Sequence, residues 1–120
     1  MWIAKSDRLP GLDDWDGNGK VLVWDENNGC MIGDVLRRKD LLRAPVTHWQ
    51  RIPNVWNMAG KIPCQADADE WGCVLVLTLT EGPRIMGYNN PILRAGGIVG
   101  WQRLPAGPGK RKYGPQTMAD

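Results

Sequence analysis

The chain has 120 residues, of which 15 are basic and 13 acidic, so that its formal net charge is +2. This length corresponds to one compact domain, and the near balance of charge provides no strong field for steering the protein onto nucleic acid, which disfavours a DNA-coating role. The hydrophobic fraction of 42% and the charged fraction of 23% are typical of a globular chain.

Cysteine usage and the length of the apolar runs indicate a cytoplasmic protein. The three cysteines, Cys30, Cys64 and Cys73, form an odd set without a C-x-x-C pair, and the first residues contain no basic-then-apolar signal segment. The longest apolar stretch, Val74 to Leu79, is far short of the roughly 20 residues that span a bilayer. We therefore expect free thiols, a reducing cytoplasm and no membrane anchor.

The first half of the chain predicts a buried strand, a hairpin, a short helix and a closing strand. The run from Val21 to Trp24 is continuously apolar and rich in valine, as in a strand covered on both faces. Asn28-Gly29 is a hairpin turn signal that leads into a strand at Met31-Ile32. The segment from Val35 to Leu42 allows a short helix, and Val46 to Ile52 predicts the closing strand, which a proline ends.

The second half predicts the same strands. Cys73 to Thr78 is the buried strand, and the turn at Glu81-Gly82-Pro83 leads into a strand at Arg84 to Met86. The segment from Asn89 to Gly97 contains a proline and a glycine pair and predicts a loop, after which Ile98 to Leu104 is the closing strand.

The two halves are copies of one sequence unit. Three blocks recur in the same order, two at an offset of 53 residues and the third at 52. The pairs are Arg8-Leu9-Pro10 with Lys61-Ile62-Pro63, Val21-Leu22-Val23 with Val74-Leu75-Val76, and Trp49-Gln50-Arg51-Ile52-Pro53 with Trp101-Gln102-Arg103-Leu104-Pro105. The repeats therefore run over 2–53 and 54–105.

The duplication and the strand pattern together predict a mostly β fold, in the range from all-β to α+β. We expect small antiparallel sheets, one set per repeat, packed as a sandwich or barrel with pseudo-two-fold symmetry. Residues 1–105 would form a single compact domain, and 106–120 a flexible basic tail that contains Lys110-Arg111-Lys112-Tyr113.

A tryptophan and an arginine two residues apart occur in each closing strand. Residues two apart in a strand share a face, so Arg51 can lie beside Trp49 and Arg103 beside Trp101. Two guanidinium groups and two indoles would suit an anionic, planar ligand such as a nucleotide, or an acidic partner surface. The alternative is that the tryptophans belong to the core and the arginines cover them with their aliphatic stems.

The turn before the first buried strand resembles a calcium loop in its spacing. Asp14, Asp16 and Asn18 stand in a D-x-D-x-N-G order, with Asp25 at the twelfth position. A strand follows where the second helix of such a site would stand, and the second repeat has Trp71 in place of the asparagine. An acidic turn before a strand explains both copies, so these residues are a weak candidate and we expect no metal or other cofactor.

His48 is the sole histidine, so any Cys–His dyad or triad would have to include it. Its place beside Trp49 fits a polar contact within a strand equally well, and no oriented base or oxyanion donors are evident from the sequence. His48 is therefore a candidate binding residue first and a catalytic one second.

The order W-I, R-L-P, V-L-V and H-W-x-x-I-P resembles a family of short phage and prophage proteins, the domain of unknown function 551. The residues that carry the likeness in the first repeat are Trp2-Ile3, Arg8-Leu9-Pro10, Val21-Leu22-Val23 and Thr47-His48-Trp49-Gln50-Arg51-Ile52-Pro53. The resemblance implies a phage or prophage source and a small accessory protein, with no assigned activity. Family members usually have one unit, and the second repeat here departs from the pattern with Gly100 in place of His48.

These observations give three functional hypotheses. The first is a non-enzymatic phage accessory protein that binds and inhibits a host protein or an anti-phage defence system. The second is a protein that sequesters a nucleotide or another small anionic ligand, and the third is a small enzyme centred on His48. We expect no membrane partner and no sequence-specific DNA binding, whereas exposed strand edges would allow a homodimer.

Overall fold

The computed structural model describes residues 2–11, 13–14, 19–58, 61–94 and 96–109. By their internal contacts these residues form two compact units: the first lies within Met1–Ile52 and includes residues 107–109, and the second is Pro53–Ala106. Asp16, Asn18 and the basic cluster Lys110 to Tyr113 lie outside the described residues.

Each unit contains one four-stranded antiparallel sheet. The strands of the first unit are β1 (Ile3–Ala4), β2 (Lys20–Asp25), β3 (Gly29–Asp34) and β4 (Val46–Gln50), with the short helix α1 (Arg38–Leu42) before β4. Their order in the sheet is β1-β4-β2-β3, and every neighbouring pair is antiparallel.

The second unit repeats this topology. Its strands are β5 (Asn57–Met58), β6 (Cys73–Thr78), β7 (Gly82–Gly87) and β8 (Ile98–Gln102), with short 3-10 helices at Gln65–Asp67 and Pro91–Arg94. The order β5-β8-β6-β7 is the order of the first sheet, strand for strand. The mostly β fold and the two small antiparallel sheets predicted from the sequence are thus confirmed.

The closing strands lie inside their sheets rather than at the edge. β4 lies between β1 and β2, and β8 lies between β5 and β6. The two-residue strands β1 and β5 are too short to give a sequence pattern, so they were absent from the prediction. The predicted helix over Val35 to Leu42 is present only at Arg38–Leu42.

The two hairpins use the same turn chemistry in both units. Gly29 and Gly82 have φ values of 85° and 72°, a left-handed conformation that glycine adopts without a Cβ clash. The side chain that precedes each turn accepts a backbone N–H: Asp25 Oδ1 accepts from Asn28 at 3.1 Å, and Thr78 Oγ1 accepts from Glu81 at 3.0 Å. A carboxylate and a hydroxyl therefore fill one structural role.

Each sheet has its own hydrophobic cluster on one face. The clusters are Val21, Val23, Leu41, Val46 and Trp49 in the first unit, and Val74, Val76, Leu93 and Trp101 in the second. Leu41 comes from α1 and Leu93 from the 3-10 helix Pro91–Arg94. This 3-10 helix lies in a segment predicted as a loop, and its Leu93 takes the core position that Leu41 of α1 takes in the first unit.

A β-bulge in each closing strand explains which side chains reach these clusters. Trp24 lies opposite His48 and Asp25 opposite Val46, so Thr47 is an extra residue. In the second unit the partners Leu77–Gly100 and Thr78–Ile98 leave out one residue in the same way. The extra residue changes the alternation of side chains, so that Val46 and Trp49, three positions apart, join one cluster.

Among the described residues, none of the helices combines the length and the apolar character needed to cross a bilayer.

Candidate functional site

The predicted site tryptophans are core residues. Trp49 has no exposed surface and Trp101 is 3% exposed, and each belongs to the hydrophobic cluster of its unit. Each indole Nε1–H donates to a backbone carbonyl of the early loop, Trp49 to Arg8 at 2.8 Å and Trp101 to Lys61. A buried indole needs such an acceptor, because an unpaired N–H in a core is costly.

These two hydrogen bonds join sequence blocks that recur together. The blocks that begin at Arg8 and Lys61 contact the tryptophan blocks in the same way in each unit. The chain therefore repeats a contact between the early loop and the closing strand, and not only a set of strands.

The first unit places a different arginine beside its tryptophan from the one predicted. The guanidinium carbon of Arg8 lies 4.8 Å from the centroid of the Trp49 ring. Arg51 follows the end of β4 and is exposed. The alternative prediction placed the tryptophan in the core, which agrees with the structure. The arginine over the indole, however, comes from 41 residues earlier in the chain.

Asp14 is the acidic centre of this arrangement. Its carboxylate accepts from Arg8 Nη1 at 2.9 Å, from Arg8 Nη2 at 3.4 Å and from the Gly11 backbone N–H at 2.8 Å. The hydrogen bond from Arg8, followed by that from Gly11, holds the pKa of Asp14 below its usual value, and the positive charge of Arg51 adds to the effect. Of the three weak calcium candidates, Asp14 alone is described, and its oxygens face an arginine.

Asp67 holds the equivalent position in the second unit. Its carboxylate accepts from the Cys64 backbone N–H at 3.0 Å, from the Cys64 thiol at 3.3 Å and from Arg103 Nη2 at 3.3 Å. The hydrogen bonds from Cys64 are the main reason that the pKa of Asp67 is lowered, and Arg103 contributes less. Cys64 N corresponds to Gly11 N of the first unit, so both copies build the same turn around an aspartate.

Beside Asp67 the second unit has a surface groove of about 380 Å³. We call it the Arg103 groove; it is lined by Val55, Asn57, Lys61, Asp67, Trp101, Gln102 and Arg103. Two residues predicted for the site, Trp101 and Arg103, therefore line one cavity. Lys61, Asp67 and Asn57 were not predicted, although the recurrence of the Arg8 and Asp14 positions at Lys61 and Asp67 was a usable signal.

Most polar groups of the Arg103 groove already have partners. Asn57 Nδ2 donates to the Trp101 carbonyl at 3.2 Å, and Gln102 Nε2 donates to the Pro53 carbonyl at 2.6 Å. Asp67 is engaged as described above. Within the described part of the chain, no acid pairs with the exposed Lys61. Arg103 has one ion pair there, with Asp67, and the Arg103 side chain is 69% exposed. The charged donors of the groove that are left for a ligand are therefore those of Lys61 and Arg103.

The groove also has an apolar border. Val55 lines it with 69% of its surface exposed. An exposed aliphatic side chain in a charged groove can exclude water from a contact with a bound partner.

His48 precedes Trp49 on β4. Its Nδ1 is 2.8 Å from Thr47 Oγ1, and its Cα partners are Ala4 on β1 and Trp24 on β2. Cys30 is the partner of Trp24 on the other side, so two strand spacings, roughly 10 Å, separate His48 from this cysteine. The enzyme hypothesis stays a prediction.

The second unit has a physical reason for glycine at the position of His48. A Cβ at Gly100 would lie 2.5 Å from the Asn57 carbonyl oxygen and 3.1 Å from Trp56 Cβ. The backbone of β5 thus approaches β8 too closely for any side chain at this position.

The described residues contain no group of three His, Cys, Asp or Glu side chains that could hold a metal ion. Comparison of the chain with protein-family models, with curated proteins and with solved structures gives no match.

Proposed function

We propose that this chain is a non-enzymatic phage accessory protein that binds an acidic segment of a host or defence-system protein through the Arg103 groove. The observation that carries the binding site is the excess of cationic donors in this groove. Lys61 has no acidic partner among the described residues, and Arg103 uses one of its five N–H donors on Asp67. A carboxylate of the partner would satisfy these donors through charge-assisted hydrogen bonds.

A protein partner is favoured by the surroundings of the groove. Val55, one of the residues that line the groove, is 69% exposed, and an apolar side chain beside a charged contact excludes water from it. The phage origin rests on the likeness of the sequence unit, above all on the tryptophan block of β4, and inhibition of the bound protein is the function that this origin favours.

Substitution of Arg103 tests the proposal. The chain, expressed with an affinity tag in phage-infected bacteria, would be purified and its complexes weighed by native mass spectrometry. We expect a co-purified acidic protein, and we expect Arg103→Ala to lower its affinity for the chain at least about tenfold, because a central arginine contact is lost.

Arg84→Ala is the matched control. Arg84 belongs to the same unit, is 52% exposed and also pairs with one acid, Glu81 at 2.8 Å, but it does not line the groove. We expect this variant to bind as the wild type does. Equal losses for Arg84→Ala and Arg103→Ala, or no loss for either, would exclude the groove as the binding site.

Sequestration of a small anion is the second candidate. The groove volume of about 380 Å³ lies within the range of small-molecule sites, roughly 300–1,000 Å³. ATP at about 100 times its dissociation constant would add roughly 2.7 kcal/mol to the stability of a chain that binds it. A rise in Tm with ATP for the wild type but not for Arg103→Ala would favour this function over a protein partner.

A further inference from the structure

In the first unit, Arg8 lies at the position that corresponds to Lys61 of the Arg103 groove. The guanidinium of Arg8 lies over the Trp49 ring, with 4.8 Å between the guanidinium carbon and the ring centroid, and it holds Asp14 with both terminal nitrogens, at 2.9 and 3.4 Å. This side chain occupies the space between the indole and the aspartate. A planar guanidinium can stack and bind a carboxylate with two N–H groups at the same time.

The second unit has a lysine where the first has Arg8. The ammonium of Lys61 is a compact charge on a flexible stem, which can neither stack as a plane nor form a two-pronged contact with Asp67. Besides its hydrogen bonds from Cys64, Asp67 accepts from a single nitrogen of Arg103 at 3.3 Å, and the Arg103 side chain is 69% exposed. The space between Trp101 and Asp67 is part of the open Arg103 groove.

Both units therefore contain the same charges in a different arrangement. Arg8, Asp14 and Arg51 correspond to Lys61, Asp67 and Arg103, and each set has two cations and one carboxylate. The units differ at one equivalent position: the arginine of the first unit contacts both the indole and the aspartate, and the second unit has a lysine there.

We infer that the chain has one binding site for an acidic segment, in the second unit, and a second, latent site in the first unit that Arg8 keeps closed. This inference rests on the proposed function of the Arg103 groove. It assigns to Arg8 the role of an intramolecular plug, and it predicts that the residue at positions 8 and 61 decides how many acidic segments one chain binds.

Reciprocal, charge-conserving substitutions test the inference. The full chain, Lys61→Arg and Arg8→Lys would be titrated with a hexaglutamate peptide by isothermal titration calorimetry at low salt. We expect one equivalent bound by the wild type and at least a tenfold loss of affinity in Lys61→Arg, because the new arginine closes the groove. We expect two equivalents bound by Arg8→Lys, because the groove of the first unit opens.

The titrations distinguish a failure of this inference from a failure of the proposed function. If the wild type binds the peptide and Arg103→Ala does not, but both exchanges still bind one equivalent with unchanged affinity, the plug is wrong and the groove function stands. If the wild type and Arg103→Ala bind equally, or neither binds, both ideas are wrong. Lys39→Arg serves as the control for a lysine-to-arginine exchange on an exposed helix position.

Circular dichroism of each variant provides the control for folding. Arg8 is 53% exposed and Lys61 is exposed, so both exchanges should leave the sheets intact. Each exchange is a test by itself if the other variant fails to fold. A folded Arg8→Lys that binds one equivalent contradicts the role of Arg8 as a plug. Unchanged affinity of a folded Lys61→Arg contradicts it as well.

Discussion

Arg8 connects the Asp14 carboxylate of the first unit to the tryptophan of β4. Arg8 binds both the Asp14 carboxylate and the Trp49 ring, and the Arg8 carbonyl accepts from the indole, so that one residue joins a charge pair to the core. The carboxylate is therefore more stable in the folded chain than in the unfolded one, which is the meaning of its lowered pKa.

Asp14→Asn should make the free energy of unfolding less dependent on pH in the acidic range. Because the folded-state pKa of Asp14 lies below its unfolded value, the contribution of the carboxylate is present above about pH 4 and is lost as the pH falls through the folded-state pKa. We expect the variant to be less stable than the wild type at pH 7 and the difference to shrink below about pH 4. Urea unfolding midpoints at several pH values measure it.

Asp13→Asn, a change at an exposed neighbour, is the control for this measurement. A stability difference between Asp14→Asn and the wild type that stays constant from neutral to acidic pH would contradict the assignment of the lowered pKa to the Arg8 and Gly11 contacts.

At the residue scale the sequence predicted that Trp49 and Trp101 lie in the closing strands, but it did not predict which side chains contact them. The spacing of Trp49 and Arg51 assumes a regular strand, whereas β4 contains a bulge and ends at Gln50. The arginine that stacks on the indole is distant in sequence, and local spacing carries no information on such contacts. The repetition of the Arg8 and Trp49 blocks together was the signal that could have paired them.

The hairpins show how two chemistries support one element. The Asp25 side chain is 1% exposed, and besides the turn N–H groups it contacts Arg43 Nη2 at 3.0 Å. In the second unit Thr78 occupies the position of Asp25 and binds its turn without a charge. A hydroxyl at this position therefore needs no cationic partner.

Arg43→Ala should destabilise the first unit by about 1–3 kcal/mol, because it leaves the buried Asp25 carboxylate without its counter-charge. This loss of stability is smaller than that for a fully buried ion pair, because the Arg43 side chain is 39% exposed. The double variant Asp25→Thr/Arg43→Ala should recover most of this loss, since it copies the second unit. Urea unfolding at pH 7 gives both values, with Arg94→Ala, an exposed change, as the control. A double variant no more stable than Arg43→Ala would show that the two turns are not equivalent.

The sequence predicted the six longer strands because each has an apolar run or a turn signal of its own. The two-residue strands β1 and β5 have neither; they form because the closing strands offer them backbone partners at Trp49 and Trp101. Strand order was likewise out of reach, since it depends on pairs that are distant in sequence, such as Ile3 with Trp49 and Leu22 with Gln50.

At the scale of the whole molecule, the two clusters raise the question of how the units unfold. Val23 and Val76 occupy equivalent core positions, 1% and 0% exposed. A core as small as that of one unit contributes little stability by itself, which favours the predicted single domain over 1–105.

Val23→Ala and Val76→Ala should each cost about 1.5–3 kcal/mol, because each removes two buried methyl groups from a packed cluster. We expect differential scanning calorimetry to show one transition that both variants lower. Two transitions, each lowered by one variant only, would contradict the single-domain prediction; Leu79→Ala, at a position that is 70% exposed, is the control.

The pairing of the first strand of each unit with its last has a consequence for the origin of the chain. Ile3 lies opposite Trp49, and Asn57 lies opposite Trp101, so both ends of a unit meet at one edge of its sheet. An in-frame copy of the coding segment can follow such a unit without rethreading any strand. By the same logic, joining the ends of one unit and cutting it at its hairpin would give a circular permutant with an unchanged sheet.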